Sequence, residues 1–151
     1  MTINFYSTYG KYGCFSNFSR HPIAVKGYLW MTSEHFFQAQ KFAGTQYEAA
    51  VRDCDGPGDA ARMGRDRSLP LRKDWETVKD DVMREAVMAK FSQHEDLKKT
   101  LLSTMDEKLV EHTERDYYWG DGRNGSGKSM LGKILMETRQ LLSKHRSDLI
   151  T

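Results

Sequence analysis

Glu34, Gln38 and Lys41 recur at i, i+4 and i+7, the spacing at which a helix turning roughly 100° per residue stacks side chains on one narrow stripe. An acid, an amide and a base then stand in line, with Phe37 and Phe42 to either side. A surface helix normally sets its charges opposite its aromatics. This stripe therefore either lines a pocket or satisfies its polar groups internally. The element that carries it is legible: Thr32 can cap a helix, Gly44 can end it, and nothing between them breaks helical geometry.

Two further stretches carry chemistry-bearing residues. Residues 62–73 hold five basic side chains and one acid, a local excess of +4. Arg62 and Arg65, three apart on a helix, can grip a phosphate, although a solvated charged face reads the same way. Gly122-Arg123-Asn124-Gly125-Ser126-Gly127-Lys128-Ser129 fits the phosphate-loop pattern and opens a helix. Its context fails: a true phosphate loop follows a buried parallel strand, whereas the residues before this one are Glu114-Arg115-Asp116-Tyr117-Tyr118, no apolar run ending in aspartate exists to hold magnesium, and only 22 residues follow. A weaker expectation remains, that the loop's backbone N–H groups meet an anion. Trp75 and Trp119 can stack a planar base or serve as core. His94-Glu95-Asp96-Leu97-Lys98 lacks the second histidine of a zinc-protease helix, and no metal site stands out among the five histidines.

Bulk properties narrow the class. At 151 residues the chain suits one domain. Its 23 basic and 21 acidic residues nearly cancel, so long-range attraction to duplex DNA is not expected. Cys14 and Cys54 lie far apart, which fits a reducing compartment. Neither a leader-like start nor a stretch approaching the ~20 apolar residues of a spanning helix is seen. The expectation is a cytoplasmic protein with no membrane association.

The elements that must position these residues follow in order. Residues 3–7 are β-prone, and residues 9–13 read as a loop. Phe15-Ser16-Asn17-Phe18 reads as a loop anchored by two buried phenylalanines. Ile23-Ala24-Val25 and Tyr28-Leu29-Trp30 flank Lys26-Gly27 as a tight hairpin. After the stripe helix come short helices over residues 46–53 and 59–67, separated by Gly56-Pro57-Gly58. The longest helix is expected over residues 75–91, capped by Asp74, with others over 95–103 and 130–142 and a strand over 108–112. No internal repeat or linker interrupts them. The expected fold is α+β, a single mostly helical domain over residues 1–151 with a small antiparallel β component.

Phe15-Ser16-Asn17-Phe18, Gly27 through Trp30, Thr32 through Phe42, Ala61-Arg62-Met63-Gly64-Arg65, Arg72-Lys73-Asp74-Trp75, Leu109-Val110-Glu111, Trp119-Gly120-Asp121-Gly122 and Leu131-Gly132 stand in the order characteristic of one family. The chain resembles the NADAR family from about Ile3 to Leu142. One departure is Ser129, where many relatives carry asparagine.

The resemblance implies hydrolysis of a C–N glycosidic bond with no cofactor. In its metabolite-clearing branch the substrates are phosphorylated early riboflavin-pathway intermediates, 5-amino-6-(5-phosphoribosylamino)uracil and its diaminopyrimidinone precursor. Ribose 5-phosphate is the sugar product. Other members remove ADP-ribose from guanine in nucleic acid, and a third reading is a non-catalytic module that binds ADP-ribose or NAD. For the reaction, Glu34 is the carboxylate beneath the ribose carbon that gains positive charge. The alternative is an ordinary first-turn glutamate. Lys41 favours that ionised form, or its neutral amine attacks the opened ribose as a Schiff-base nucleophile. Asp121 protonates or orients the leaving base, or simply forms a turn. Arg62 and Arg65 are assigned to the 5′-phosphate, Trp75 and Trp119 to the base or pocket wall, and Asn17 and Gln38 to substrate contacts such as ribose hydroxyls.

Overall fold

Strands β2 (Ile23–Val25) and β3 (Tyr28–Trp30) form an antiparallel hairpin, Ile23 opposite Trp30. Lys26 and Gly27 both take left-handed backbone, at φ 57° and 79°. That pair is the turn whose twist matches the strands it joins. The structure, a computed structural model, describes the backbone of residues 1–150 and the side chains of residues 1–144.

The hairpin leads into α1 (Ser33–Gln40), where Thr32 Oγ1 accepts the N–H of His35 as an N-cap. Helices α2 (Gln46–Arg52), α3 (Pro57–Gly64) and α4 (Trp75–Gln93) follow. The third starts earlier than expected, because Pro57 sits in its first turn. There the missing N–H costs nothing. Before α4, the carboxylate of Asp74 is turned to Arg72, at 2.6 and 3.0 Å. The backbone carbonyl of Asp74 receives the N–H groups of Thr77 and Val78. Then come α5 (Glu95–Ser103), β4 (Lys108–Glu111) and α6 (Met130–Ile150). The first strand, β1 (Thr2–Phe5), pairs with β4 in parallel, Ile3 opposite Leu109. The α+β class holds, with this parallel pair added to the antiparallel hairpin.

The chain divides into two compact units. Unit one comprises residues 1–16 and 91–151, and unit two comprises residues 17–90. In unit one, α6 passes close to β4 at Gly132, where a Cβ would fall on the Leu109 carbonyl oxygen. Only glycine permits that approach. The rings of Phe5, Phe15 and Phe91 meet there, Phe15 standing 5.6 Å from Phe5 and 5.9 Å from Phe91. Unit two has a core of Ile23, Trp30, Phe36, Ala39, Phe42, Val51, Ala60 and Ala86. Phe15 is buried as expected, but Phe18 is 40% exposed. The residues turned inward around it are Asn17 and Ser19, so the loop is held by polar side chains and not by a second ring. Among the described residues no helix is long and apolar enough to cross a membrane.

Candidate active site

Every residue of α1 is buried. Such a helix has no wet face, so each polar side chain needs a partner inside the protein. Most find one locally. Ser33 Oγ donates to Asn17 Oδ1 at 2.8 Å, and the Glu34 N–H donates to the Asn17 carbonyl at 3.2 Å. Asn17 Nδ2 contacts the Met83 sulfur at 3.3 Å. Asn17 is thereby committed to holding the start of α1. His35 donates from Nε2 to the Cys54 carbonyl at 3.0 Å, which leaves Nδ1 to accept the Thr32 hydroxyl at 2.7 Å. Burial lowers its pKa and keeps it neutral. Gln40 Nε2 donates to Glu48, which also receives Lys26 Nζ and the Gly44 N–H.

The stripe itself is assembled as its spacing implied. Gln38 Nε2 donates to Glu34 Oε1 at 2.8 Å. Lys41 Nζ donates to the Gly64 carbonyl at 3.2 Å, one of the last carbonyls of α3, where the helix dipole favours a cation. The same ammonium lies 5.9 Å from the Phe37 ring centre and 5.7 Å from that of Trp75. These two rings meet edge to face at 5.2 Å and form one wall. Phe42 instead turns into the core beside Tyr47. Glu34, Gln38 and Lys41 are each 7–8% exposed. Burial lowers the Lys41 pKa to about 8, with Arg67 and Arg65 pushing in the same direction and Glu34 and Glu76 opposing.

The basic cluster is not uniform. Arg62, on the exposed side of α3, is bonded to Asp59 at 2.6 Å, and Arg72 is bonded to Asp74. Arg65 and Arg67 are exposed and act on the Lys41 charge, and their guanidinium groups have no hydrogen-bond or ion-pair partner among the described residues. Arg67 is thus a candidate that sequence reasoning passed over. So is Gly64, whose contact with Lys41 spans 23 positions and leaves no spacing signal.

Asp121 and Trp119 belong to unit one. Both Asp121 oxygens face His112 Nδ1, at 3.0 and 3.1 Å, and Oδ1 also accepts the Thr113 N–H. Burial works to raise its pKa, but these bonds prevail and hold the carboxyl below its usual range. That suits orienting a group better than giving it a proton. The Trp119 ring meets Tyr118 edge to face at 4.9 Å.

From Gly125 onward the glycine-rich loop runs against the anion-binding expectation. The N–H groups of Gly125, Gly127, Lys128, Ser129, Met130 and Leu131 donate to loop carbonyls of residues 117–122, and that of Ser126 to Asn124 Oδ1. None of these is left to cradle a phosphate. Ser129 sits at φ 49°, a left-handed conformation in which asparagine is enriched over serine.

Comparison with known proteins agrees with the resemblance. The NADAR domain family matches residues 4–143. The protein named N-glycosidase YbiA of Escherichia coli strain K12 is 59% identical over 141 residues, covering 93% of this chain and 88% of the relative. The maize protein named Riboflavin biosynthesis protein PYRR, chloroplastic, is 41% identical over 152 residues, covering 91% of this chain and 24% of that longer protein. The NMR structure of the E. coli protein YbiA superposes with a TM-score of 0.89 at 57% identity, covering 96% of this chain and 86% of that one. On a match that runs through both units, this chain belongs to the NADAR family.

Proposed function

We propose that the protein is an N-glycosidase that hydrolyses phosphoribosylated aminopyrimidines, the early intermediates of riboflavin synthesis, releasing ribose 5-phosphate and the free pyrimidine. Residues 1–151 act as one catalytic domain in this reading. The N-glycosidase assignment is supported by the E. coli relative's name and by identity over nearly the whole chain. The riboflavin connection is supported by the maize relative's name.

The observation that carries the reaction is the buried stripe, with Glu34 held by Gln38 and Lys41 one turn on, against the Phe37 and Trp75 rings. As the C–N bond breaks, its electron pair leaves with the pyrimidine amine and positive charge grows on the ribose C1 and ring oxygen. A carboxylate beside that carbon stabilises the charge and aligns the water that adds to C1. Low dielectric around the stripe strengthens the interaction. The departing nitrogen takes up the proton that this water gives up as its oxygen bonds to C1. In a covalent variant the neutral Lys41 amine adds to C1 of the ring-opened sugar and expels the pyrimidine amine. Water then hydrolyses the resulting Schiff base, returning the free lysine and ribose 5-phosphate. The 5′-phosphate is met by Arg65 and Arg67, whose guanidinium groups are unengaged, with Arg62 available only if it leaves Asp59. Asn17 and Gln38 hold Glu34 and its helix, and Trp75 walls the site.

Purified protein incubated separately with 5-amino-6-(5-phosphoribosylamino)uracil and with an ADP-ribosylated guanine oligonucleotide tests the assignment. Free ribose 5-phosphate from the first is expected. Release of ADP-ribose from the second alone would transfer the activity to nucleic-acid repair, and no turnover of either would leave a binding module.

A further inference from the structure

Gly64 ends α3 with ordinary right-handed backbone, since it is absent from the residues at positive φ. Alanine is the stronger helix former at such a position, so backbone freedom does not account for glycine here. The neighbours do. A methyl group on Gly64 would fall on the Gln38 side-chain carbonyl. Gln38 is the residue whose Nε2 holds Glu34, and the Gly64 carbonyl is the acceptor for Lys41 Nζ. One residue of α3 therefore touches both partners of the acid–base stripe.

The Gln38 amide itself records the constraint. Its Oε1 is buried with no hydrogen-bond partner among the described residues, a cost that proteins seldom accept. Turning the amide over would aim Oε1 at the Glu34 carboxylate, acceptor against acceptor. The bond to Glu34 thus fixes the amide, and the bare Cα of Gly64 leaves room for the orphaned oxygen.

We propose that Gly64 is a positioning residue: by lacking a side chain it seats Gln38 against Glu34, and through its carbonyl it seats Lys41, so that one position sets the spacing of acid and base. The catalytic consequence rests on the N-glycosidase reading, whereas the Gly64–Gln38–Glu34 coupling rests on geometry alone.

Full-length G64A, Q38A and Q38A/G64A proteins test it. In G64A, kcat should fall by a factor of about 10 to 100 while KM moves less than about threefold, the mark of displaced catalytic groups. Q38A/G64A should be little worse than Q38A, because the carbonyl that the new methyl would strike is gone and only the Cβ of position 38, 3.1 Å away, remains. Losses that multiply in the double variant would overturn the proposal. Hydrogen exchange of the Gln38 side-chain amide, followed by NMR, reads the coupling without turnover. It should speed at least about tenfold in G64A as the buried bond is lost, and an unchanged rate would overturn the proposal. Should G64A not fold, a folded Q38A/G64A supports the coupling and an unfolded one refutes it. A wild-type protein without glycosidase activity removes the functional reading and leaves the exchange rates to decide the role of Gly64.

Discussion

A lysine that titrates near pH 8 is about a tenth neutral at pH 7, against roughly one part in three thousand for an ordinary lysine. That difference decides whether Lys41 can be a nucleophile. If it is, kcat/KM should rise with pH through a midpoint near 8, and borohydride added during turnover should leave a pentose phosphate adduct on Lys41. An unmodified Lys41 peptide in an actively turning-over sample removes the covalent route and leaves Glu34 with water. The arginines make a separate prediction at this scale. R67A should raise KM for the phosphorylated substrate about tenfold or more, and for a dephosphorylated analogue much less. R62A should do less than R67A, since Arg62 already has Asp59. Equal KM changes on both substrates would count against a phosphate contact.

At the scale of elements, α1 depends on its first turn. Removing the Thr32 side chain with T32A deletes the cap on His35 and the hydroxyl that His35 Nδ1 accepts. Thermal or urea unfolding should show a loss of about 1 to 2 kcal/mol, and no loss would mean that the cap is redundant. The same helix shows how much could be read beforehand. Thr32, the i, i+4, i+7 spacing and the Lys26-Gly27 turn are local signals, and each produced the element expected of it. Long-range partners left no such trace. The pairing of β1 with β4 joins residues about a hundred positions apart, Gly64 meets Lys41 across a loop and two helices, and Phe18 lies open because Asn17 and Ser19 took the inward positions. The glycine-rich loop misled for a related reason. Its pattern matches a phosphate cradle, but the N–H groups of Gly125, Gly127, Lys128 and Ser129 are spent on carbonyls that only the folded turn brings near.

For the whole molecule, the cost of keeping Lys41 buried appears in the dependence of stability on pH. Its folded pKa, about 8, lies below the unfolded 10.5, so the unfolded chain binds more protons between those values and stability rises with pH across that window. The penalty is fully present below pH 8, with an upper bound of about 3 kcal/mol. K41M should therefore flatten the rise that wild type shows from pH 8 to 10.5, and an unchanged slope would assign it elsewhere. At the acid end, burial tends to raise the Glu48 pKa, but bonds from Lys26, Gly44 and Gln40 outweigh it and lower the net value. Its contribution is present above the unfolded value of 4.5 and is lost as pH falls through the lower folded one. E48Q should lose stability at neutral pH and show a shallower acid limb. The proposed reaction uses a buried amine near an acid, and the fold carries that amine as a standing destabilisation.

The most direct test of the account sets wild type beside E34Q, which keeps the shape and the Gln38 contact region but removes the charge. With 5-amino-6-(5-phosphoribosylamino)uracil as substrate and free ribose 5-phosphate as readout, wild type should turn over and kcat for E34Q should fall by a factor of about 100 or more, with KM little changed. Equal rates in the two proteins would contradict the assignment of Glu34 as the carboxylate that stabilises the sugar cation.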